Sequence, residues 1–338
     1  MESSPAPGTG LTPVPVAVRS ATATLAAAGI DSAAVEARMI CAHAAGVDLS
    51  RLLLADGLDA VQLAEVDRIV AARAAEHLPL QYLLGRASSG LLELAVGPGV
   101  FIPRPETALL VEWVLDRLPA PTGGPGPIVV DLCAGSGTIA LEIAHARPDA
   151  RVHAVELHDA ALTWLRRNAA ERATAGDTPI EIHHADATDP GLLTQLRGRV
   201  DAVVSNPPYI PITDDLPSDV LGHEPATALF GGEDGLVVVV PLVDVGASLL
   251  APRGLLALEH DDTTGAEVAA VVARQGHFGT VERHTDLAGR PRFVTATARG
   301  TRRDTARGGA TGREQNRHDY DDDTVAEVDP TVQKGIAR

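Results

Sequence analysis

The amino-acid sequence predicts an α/β protein: a doubly wound, mostly parallel, seven-stranded Rossmann-like sheet, with a small N-terminal helical domain joined to it by a β-hairpin. Three observations carry this. From Ile128 to Ala298 short apolar, β-branched runs alternate with helical stretches, the pattern of parallel strands covered on both faces. The first such run passes through Gly135-Ser-Gly137 straight into a helix, the strand–turn–helix unit of nucleotide-type folds. Before Pro79 the apolar residues recur only at helical spacing.

Residues 1–15, rich in Pro, Ser, Gly and Thr, read as a disordered lead-in. The helical unit, residues 16–77, then holds three helices. The first carries Val18, Thr22, Leu25 and Ala26 and stops at Gly29; the second starts at a cap, Asp31 or Ser32, and runs to Gly46. The third fits Leu58 to His77, with Leu63, Val66, Ile69, Val70 and Ala74 on one face. This unit carries no chemistry of its own and is expected to recognise a substrate. Residues 78–104 break into short apolar pieces, Gln81–Leu84, Leu91–Val96 and Val100–Ile102, between glycines, and read as a β-hairpin linker. Pro103 and Pro105 hold Arg104 in a stiff extended segment, and a helix follows from Glu106 to Leu118.

Residues 105–299 form the main domain. Its strands are expected at Ile128–Leu132, Arg151–Glu156, Ile180–His184, Arg199–Ser205, Gly254–Glu259, Thr280–His284 and Arg292–Ala298, with helices at Leu157–Ala173, Leu236–Leu250 and Thr264–Arg274 between them. Ile210 to Gly235 is an irregular loop, long enough to serve as a lid. Residues 300–338 are dominated by Arg, Gly, Asp and Thr and read as a disordered tail.

Aromatic residues make up only 3% of the chain, so the core must be built from Ala, Val and Leu. A formal charge of −17, with Lys334 the single lysine, argues against a protein that grips nucleic acid through its phosphates. Cys41 and Cys133 lie in different expected domains and lack metal-ligand spacing, so no metal is expected and a reducing cytosol fits them. No apolar run spans a bilayer and residues 1–15 have no signal-peptide pattern, so the expectation is a cytoplasmic monomer.

The chemistry is expected at Val203-Val-Ser-Asn-Pro-Pro-Tyr209. The prolines end the strand, and the residue before a proline is held extended, so Asn206 is aimed from a strand's C-terminal end, where open α/β sheets bind ligands. The Asn206 side-chain oxygen and the Pro207 carbonyl can each accept one N–H of a planar NH2 group, fixing a poorly nucleophilic nitrogen for methylation. Tyr209 offers an aromatic face to the acceptor. Gly135 and Gly137 let backbone approach a ligand, and free N–H groups from Thr138 favour an anionic group. Glu156, ending the second strand, can accept both hydroxyls of a ribose, and Asp186, past the third, can accept from an adenine amino group. Glu259 and His260 fall farther round the sheet, away from this site. Gly135 to Ala140 also fits a dinucleotide fingerprint, so an NAD enzyme and a nucleic-acid methyltransferase remain alternatives on these residues alone.

Several longer runs are more specific: Pro79-Leu-Gln-Tyr82 with Gly85, Phe101-Ile-Pro-Arg-Pro-Glu-Thr107, Asp131-Leu-Cys-Ala-Gly-Ser-Gly137, Asn206-Pro-Pro-Tyr209, and Glu224-Pro-Ala-Thr-Ala-Leu229 with Gly231-Gly-Glu-Asp-Gly235. With these the chain, over roughly residues 18–299, resembles the HemK/PrmC family of S-adenosylmethionine-dependent protein glutamine N5-methyltransferases. The resemblance implies methyl transfer from S-adenosyl-L-methionine to the glutamine of the Gly-Gly-Gln motif of peptide chain release factors, which are then the protein partners. The runner-up remains an adenine or guanine amino N-methyltransferase acting on nucleic acid. By the resemblance Gly135, Gly137, Glu156 and Asp186 hold the cofactor, in a crevice completed by Cys133, Ala134, Ser136, Ala187 and Asn206. Asn206, Pro207, Pro208 and Tyr209 hold the acceptor and carry catalysis, and Phe101 and Arg104 line its entrance. The family usually has glycine where this chain has Cys133, a larger side chain where it has Ala187, and aromatic residues where it has Leu91, Leu92 and Leu94.

Overall fold

In a computed structural model, residues 10–121, 123–212 and 222–300 are described. The chain starts with a bundle of three helices, Val14–Ala27, Ala33–Ala45 and Ala60–Glu76, packed around Leu25, Ile40, Leu52, Leu58 and Ile69. Each boundary has a local cause. Gly46 closes the second helix in the left-handed conformation at φ 68°. Asp59 opens the third with a capping box, its carboxylate accepting from the Val61 and Gln62 N–H groups while the Gln62 side chain accepts from the Asp59 N–H. Order begins earlier than expected: Thr12 exchanges both backbone hydrogen bonds with Leu58, and Val14 is already buried in the bundle. Residues 1–9 of the expected lead-in lie outside the described residues.

The linker differs from its expectation in one element. Leu80–Leu84 is a helical turn, started after Pro79 and closed by Gly85 at φ 71°, where Gln81–Leu84 was read as an apolar piece of the β-hairpin linker. The hairpin is instead Arg86–Ser89 (β1) against Leu92–Ala95 (β2). Its first strand holds a single apolar residue, Ala87, so alternation gives no signal there.

Seven strands form the main sheet: β3 (Ile128–Leu132), β4 (Arg151–Glu156), β5 (Glu181–His184), β6 (Val200–Ser205), β7 (Leu250–Glu259), β8 (Phe278–Thr285) and β9 (Pro291–Ala298), in the order β5-β4-β3-β6-β7-β9-β8. Neighbours from β5 to β7 run parallel, and β9 is antiparallel to both β7 and β8. Val130, Leu132, Val203 and Leu256 pack on one face beneath helices Val239–Leu249 and Gly265–Gln275. Val129, Ala202, Val204 and Ala257 pack on the other beneath Thr107–Leu115, Thr138–Ala146 and Asp159–Thr174. The order reverses between β3 and β6, so their C-terminal ends diverge and open a crevice there.

Residues 213–221 of the expected lid and residues 301–338 of the expected tail lie outside the described residues. The remainder of that loop folds back on the turn after β6. Ile210 and Phe230 form a parallel bridge, the Ile210 N–H donates to the Leu229 carbonyl and the Gly231 N–H to the Ile210 carbonyl, both at 2.9 Å. A Cβ at Gly235 would stand 2.3 Å from the Tyr209 carbonyl oxygen, so glycine is required for this close approach. Among the described residues no helix is long and apolar enough to cross a membrane.

Candidate active site

Two clefts meet at the C-terminal ends of the central strands. The first, about 300 Å³, is lined by Cys133, Ala134, Gly135 and Ser136 after β3, Glu156 ending β4, Asp186 and Ala187 after β5, and Asn206 and Pro208 after β6. The second, about 240 Å³, is lined by Phe101, Arg104, Asn206, Tyr209, Glu259 and Arg292, among others. Phe101, Asn206 and Ala228 line both. Of the residues singled out from sequence, Pro207 is buried and lines neither cleft, and Gly137 also lies outside both linings.

Gly135, at φ 58°, has open space where a Cβ would stand, so its backbone conformation calls for glycine. At Gly137, φ 94°, a Cβ would lie 2.7 Å from Leu165 Cδ1 and 2.9 Å from Leu141 Cδ1, so close packing also calls for glycine there. At the start of the helix from Thr138 the Ala140 N–H donates to Asp131 Oδ2 at 3.1 Å. Cys133 adopts φ 63°, the left-handed region that glycine takes without strain. Burial and the carboxylates of Glu156 and Asp131 push its thiol far above the ordinary range.

Glu156 is buried, with Oε2 accepting from the Gly135 N–H and Oε1 from the His158 N–H, each at 2.8 Å. It therefore couples the two loops that flank the cleft, and each oxygen keeps a lone pair for a ligand. Asp186 is exposed, and its Oδ1 accepts from the Thr188 N–H at 2.8 Å and the Thr188 hydroxyl at 2.6 Å. Sequence reasoning passed over Asp131 as a ligand residue. It is fully buried, lines the first cleft, and its Oδ1 has no hydrogen-bond partner among the described residues; burial raises its carboxyl well above the usual range.

In the second cleft Arg104 is not a free cation. Its guanidinium pairs with Glu224, which also accepts the Ile102 N–H at 3.0 Å, and it lies over the Phe101 ring at 4.8 Å from the centroid. Arg104 thus braces the segment that carries Phe101 against the Glu224-Pro-Ala-Thr-Ala-Leu229 run. Glu259, expected to lie away from the site, is 3% exposed within it. The Thr107 hydroxyl donates to Glu259 Oε2 at 2.8 Å and the Tyr209 hydroxyl to Glu259 Oε1 at 3.1 Å. Asn206 Nδ2 faces Thr107 Oγ1 at 3.5 Å. Pairing of Ser205 with Leu258 brings the ends of β6 and β7 side by side, which is why residues so far apart in the chain meet. Thr107 closes the specific Phe101–Thr107 run and Glu259 ends a strand read as lying farther round the sheet, but nothing in the sequence near either residue marks their contact.

Comparison with known proteins finds two family models in the chain: the PrmC N-terminal domain over residues 17–85 and the methyltransferase small domain over residues 104–216. A release factor glutamine methyltransferase of Mycolicibacterium smegmatis is 49% identical over 288 residues, covering 85% of this chain and 98% of the relative. One of Mycobacterium tuberculosis is 44% identical over 285 residues, covering 83% and 90%. Another, of Streptomyces coelicolor, is 41% identical over 281 residues, covering 82% and 96%.

Proposed function

Because this chain belongs to the release factor glutamine methyltransferase family, we propose that its first cleft binds S-adenosylmethionine and its second takes the Gly-Gly-Gln glutamine side chain of a peptide chain release factor. The observation that carries this reading is that Asn206 and Phe101 line both clefts, so one residue pair touches donor and acceptor alike.

The residues of the first cleft suit the donor. The unpartnered, buried Asp131 Oδ1 is an acceptor for the ammonium of the methionine part. Glu156 retains acceptor capacity for ribose hydroxyls, and the apolar walls of Ile139, Leu157 and Ala187 suit a flat base. When bound, the donor's sulfonium supplies an electrophilic methyl group. Everything else falls to the chain. Asn206 Oδ1, with Nδ2 turned to Thr107, is the atom left to accept from the acceptor NH2. Phe101 and Ala228 wall the junction with apolar surface that disfavours water there. An amide nitrogen is a poor nucleophile because its lone pair is delocalised, so orientation is the main contribution, worth about 7–11 kcal/mol in favourable systems.

The test is a radiolabelled methyl-transfer assay that offers, in parallel, a purified release factor, the same factor with its Gly-Gly-Gln glutamine changed to glutamate, duplex DNA and ribosomal RNA. Label is expected only on the unaltered factor, and Asn206→Ala should abolish it while donor binding persists. A glutamate carboxylate would face the Asn206 oxygen unpaired, at about 1–3 kcal/mol or more per unmatched buried group. Label on the glutamate variant refutes the acceptor assignment; label on nucleic acid alone refutes the substrate class, against which the net charge of −17 already argues.

A further inference from the structure

The side-chain amide of Asn206 has two ends of opposite character, and the proposed chemistry works with only one of them facing the acceptor. An oxygen there accepts an N–H of the substrate NH2; an NH2 there confronts it donor to donor. Nothing in the Asn206-Pro-Pro-Tyr209 turn itself chooses between the two. The choice lies one step behind it. The Thr107 hydroxyl commits its single proton to Glu259 Oε2 at 2.8 Å, so only lone pairs of that hydroxyl remain for Asn206. Whichever Asn206 atom faces Thr107 must therefore be the donor, and Nδ2 does face it, at 3.5 Å. That contact is long, but its polarity is set by the committed proton. Oδ1 is left for the acceptor.

We propose, resting on the functional reading above, that Glu259 is the positioning residue that sets the Asn206 amide orientation, acting through Thr107. Glu259 performs this only as a carboxylate. It accepts from Thr107 with one oxygen and from Tyr209 with the other, which an ionised carboxylate can do. A glutamine in its place has one oxygen and one NH2. With the oxygen on Tyr209, its NH2 donates to Thr107, whose proton then turns to Asn206 and draws Oδ1 round, leaving Nδ2 toward the acceptor.

The groups facing Glu259 come from four elements: Thr107 and Glu106 at the start of helix Thr107–Leu115, Tyr209 from the turn after β6, Arg292 from β9, and Asp261 following β7. Burial raises the Glu259 carboxyl, the Thr107 and Tyr209 hydrogen bonds and the Arg292 charge oppose this, and the balance stands at about 7. Below that pH the carboxyl gains a proton, and one of its two acceptor positions becomes a donor. His260 is held below its ordinary value by burial, so an acid limb near 7 is not its own.

The test measures kcat and KM for the release factor, and the donor dissociation constant, for the full chain and its variants from about pH 5.5 to about 9. Wild-type kcat should fall on the acid side of about 7. Glu259→Gln should lower kcat by about 100-fold or more, as losing a preorganised polar contact does, remove the acid limb, and leave donor affinity within about twofold, because Glu259 does not line the first cleft. Thr107→Val should lose kcat to a similar degree and Thr107→Ser should restore it. Combining Glu259→Gln with Thr107→Val should cost little more than either alone, since both break one relay. Should Glu259→Gln fail to fold, the Thr107 pair still decides. The inference is overturned if Glu259→Gln or Thr107→Val keeps kcat within about threefold of wild type, if Thr107→Ser is no better than Thr107→Val, or if the acid limb survives in Glu259→Gln. Wild type that fails to label the factor overturns the functional reading with it; wild type that labels while the variants are unimpaired overturns this inference alone.

Discussion

Asn168, on helix Asp159–Thr174, pairs with both backbone groups of Ala95 at the end of β2: its Oδ1 accepts the Ala95 N–H at 2.7 Å and its Nδ2 donates to the Ala95 carbonyl at 3.0 Å. The side chain thus stands in for a neighbouring strand. Its second Nδ2 hydrogen goes to the Ser136 carbonyl at 2.9 Å, so one buried amide fastens the hairpin to the turn after β3.

Asn168→Ala leaves those three backbone groups without their partner in a region closed to water. Each costs about 1–3 kcal/mol when stranded, and partial relaxation should hold the total to about 3 kcal/mol. Denaturant unfolding should record that loss. Donor affinity should weaken as well, because Ser136 lines the first cleft. A variant as stable as wild type would show that the amide is dispensable.

Glu36 and Arg73 form a buried bidentate pair between the second and third bundle helices, at 2.8 and 3.0 Å. Burial alone would raise the Glu36 carboxyl, but hydrogen bonds from Arg73 and Ser32 outweigh it and hold the group below its ordinary 4.5. A depressed carboxyl contributes stability that is present above its unfolded value and lost as pH falls through the folded one. Glu36→Ala should therefore cost about 3 kcal/mol at neutral pH, because the buried Arg73 guanidinium loses its carboxylate and keeps the His77 and Leu78 carbonyls. The gap to wild type should narrow as pH drops below 4.5. A gap that stays constant in acid contradicts this ionisation.

Glu156→Ala removes the carboxylate that binds the Gly135 and His158 N–H groups, besides any ribose contact. Charge-assisted bonds are worth about 1.5–3 kcal/mol each, so donor affinity should drop by well over tenfold in calorimetric titration. Glu156→Gln should also fail, because its NH2 end meets one of the two backbone donors. Undiminished affinity in either variant would remove Glu156 from the donor site.

Cys133→Gly should raise stability by up to about 1 kcal/mol: a side chain in the left-handed region costs about 1–2 kcal/mol, and the added freedom of glycine in the unfolded chain returns part of that. Methyl transfer should persist. The raised thiol should also alkylate far more slowly than an exposed cysteine at pH about 8. Loss of transfer in a folded Cys133→Gly protein would make the thiol a participant.

Much of the fold was legible because its signals are local. Each strand of the main sheet was found within a few residues, since β-branched runs stopped by Gly, Pro or an acid need no distant information. Where local signals were mixed, the element type stayed open: Leu80–Leu84 has apolar residues that suit either period, and Pro79 and Gly85 at its ends select the helical turn. Of the residues that the sequence placed at strand ends, Cys133, Gly135, Glu156, Asp186 and Asn206 line the first cleft.

The sequence by itself determined the strand–turn–helix unit, the aimed Asn206, the acidic surface and the family, all properties of adjacent residues or of composition. Tertiary structure alone decided that Asp131 keeps an unpaired oxygen in the first cleft, that Arg104 is spent on Glu224, and that Thr107, Glu259 and Tyr209 form one network behind Asn206. Thr107 and Glu259 are separated by 152 positions, and they meet because β7 lies beside β6 in register while helix Thr107–Leu115 caps that edge of the sheet. A hydrogen bond acts over about 3 Å, whereas strand order is the outcome of packing the whole sheet, so no stretch of sequence near either residue announces the other.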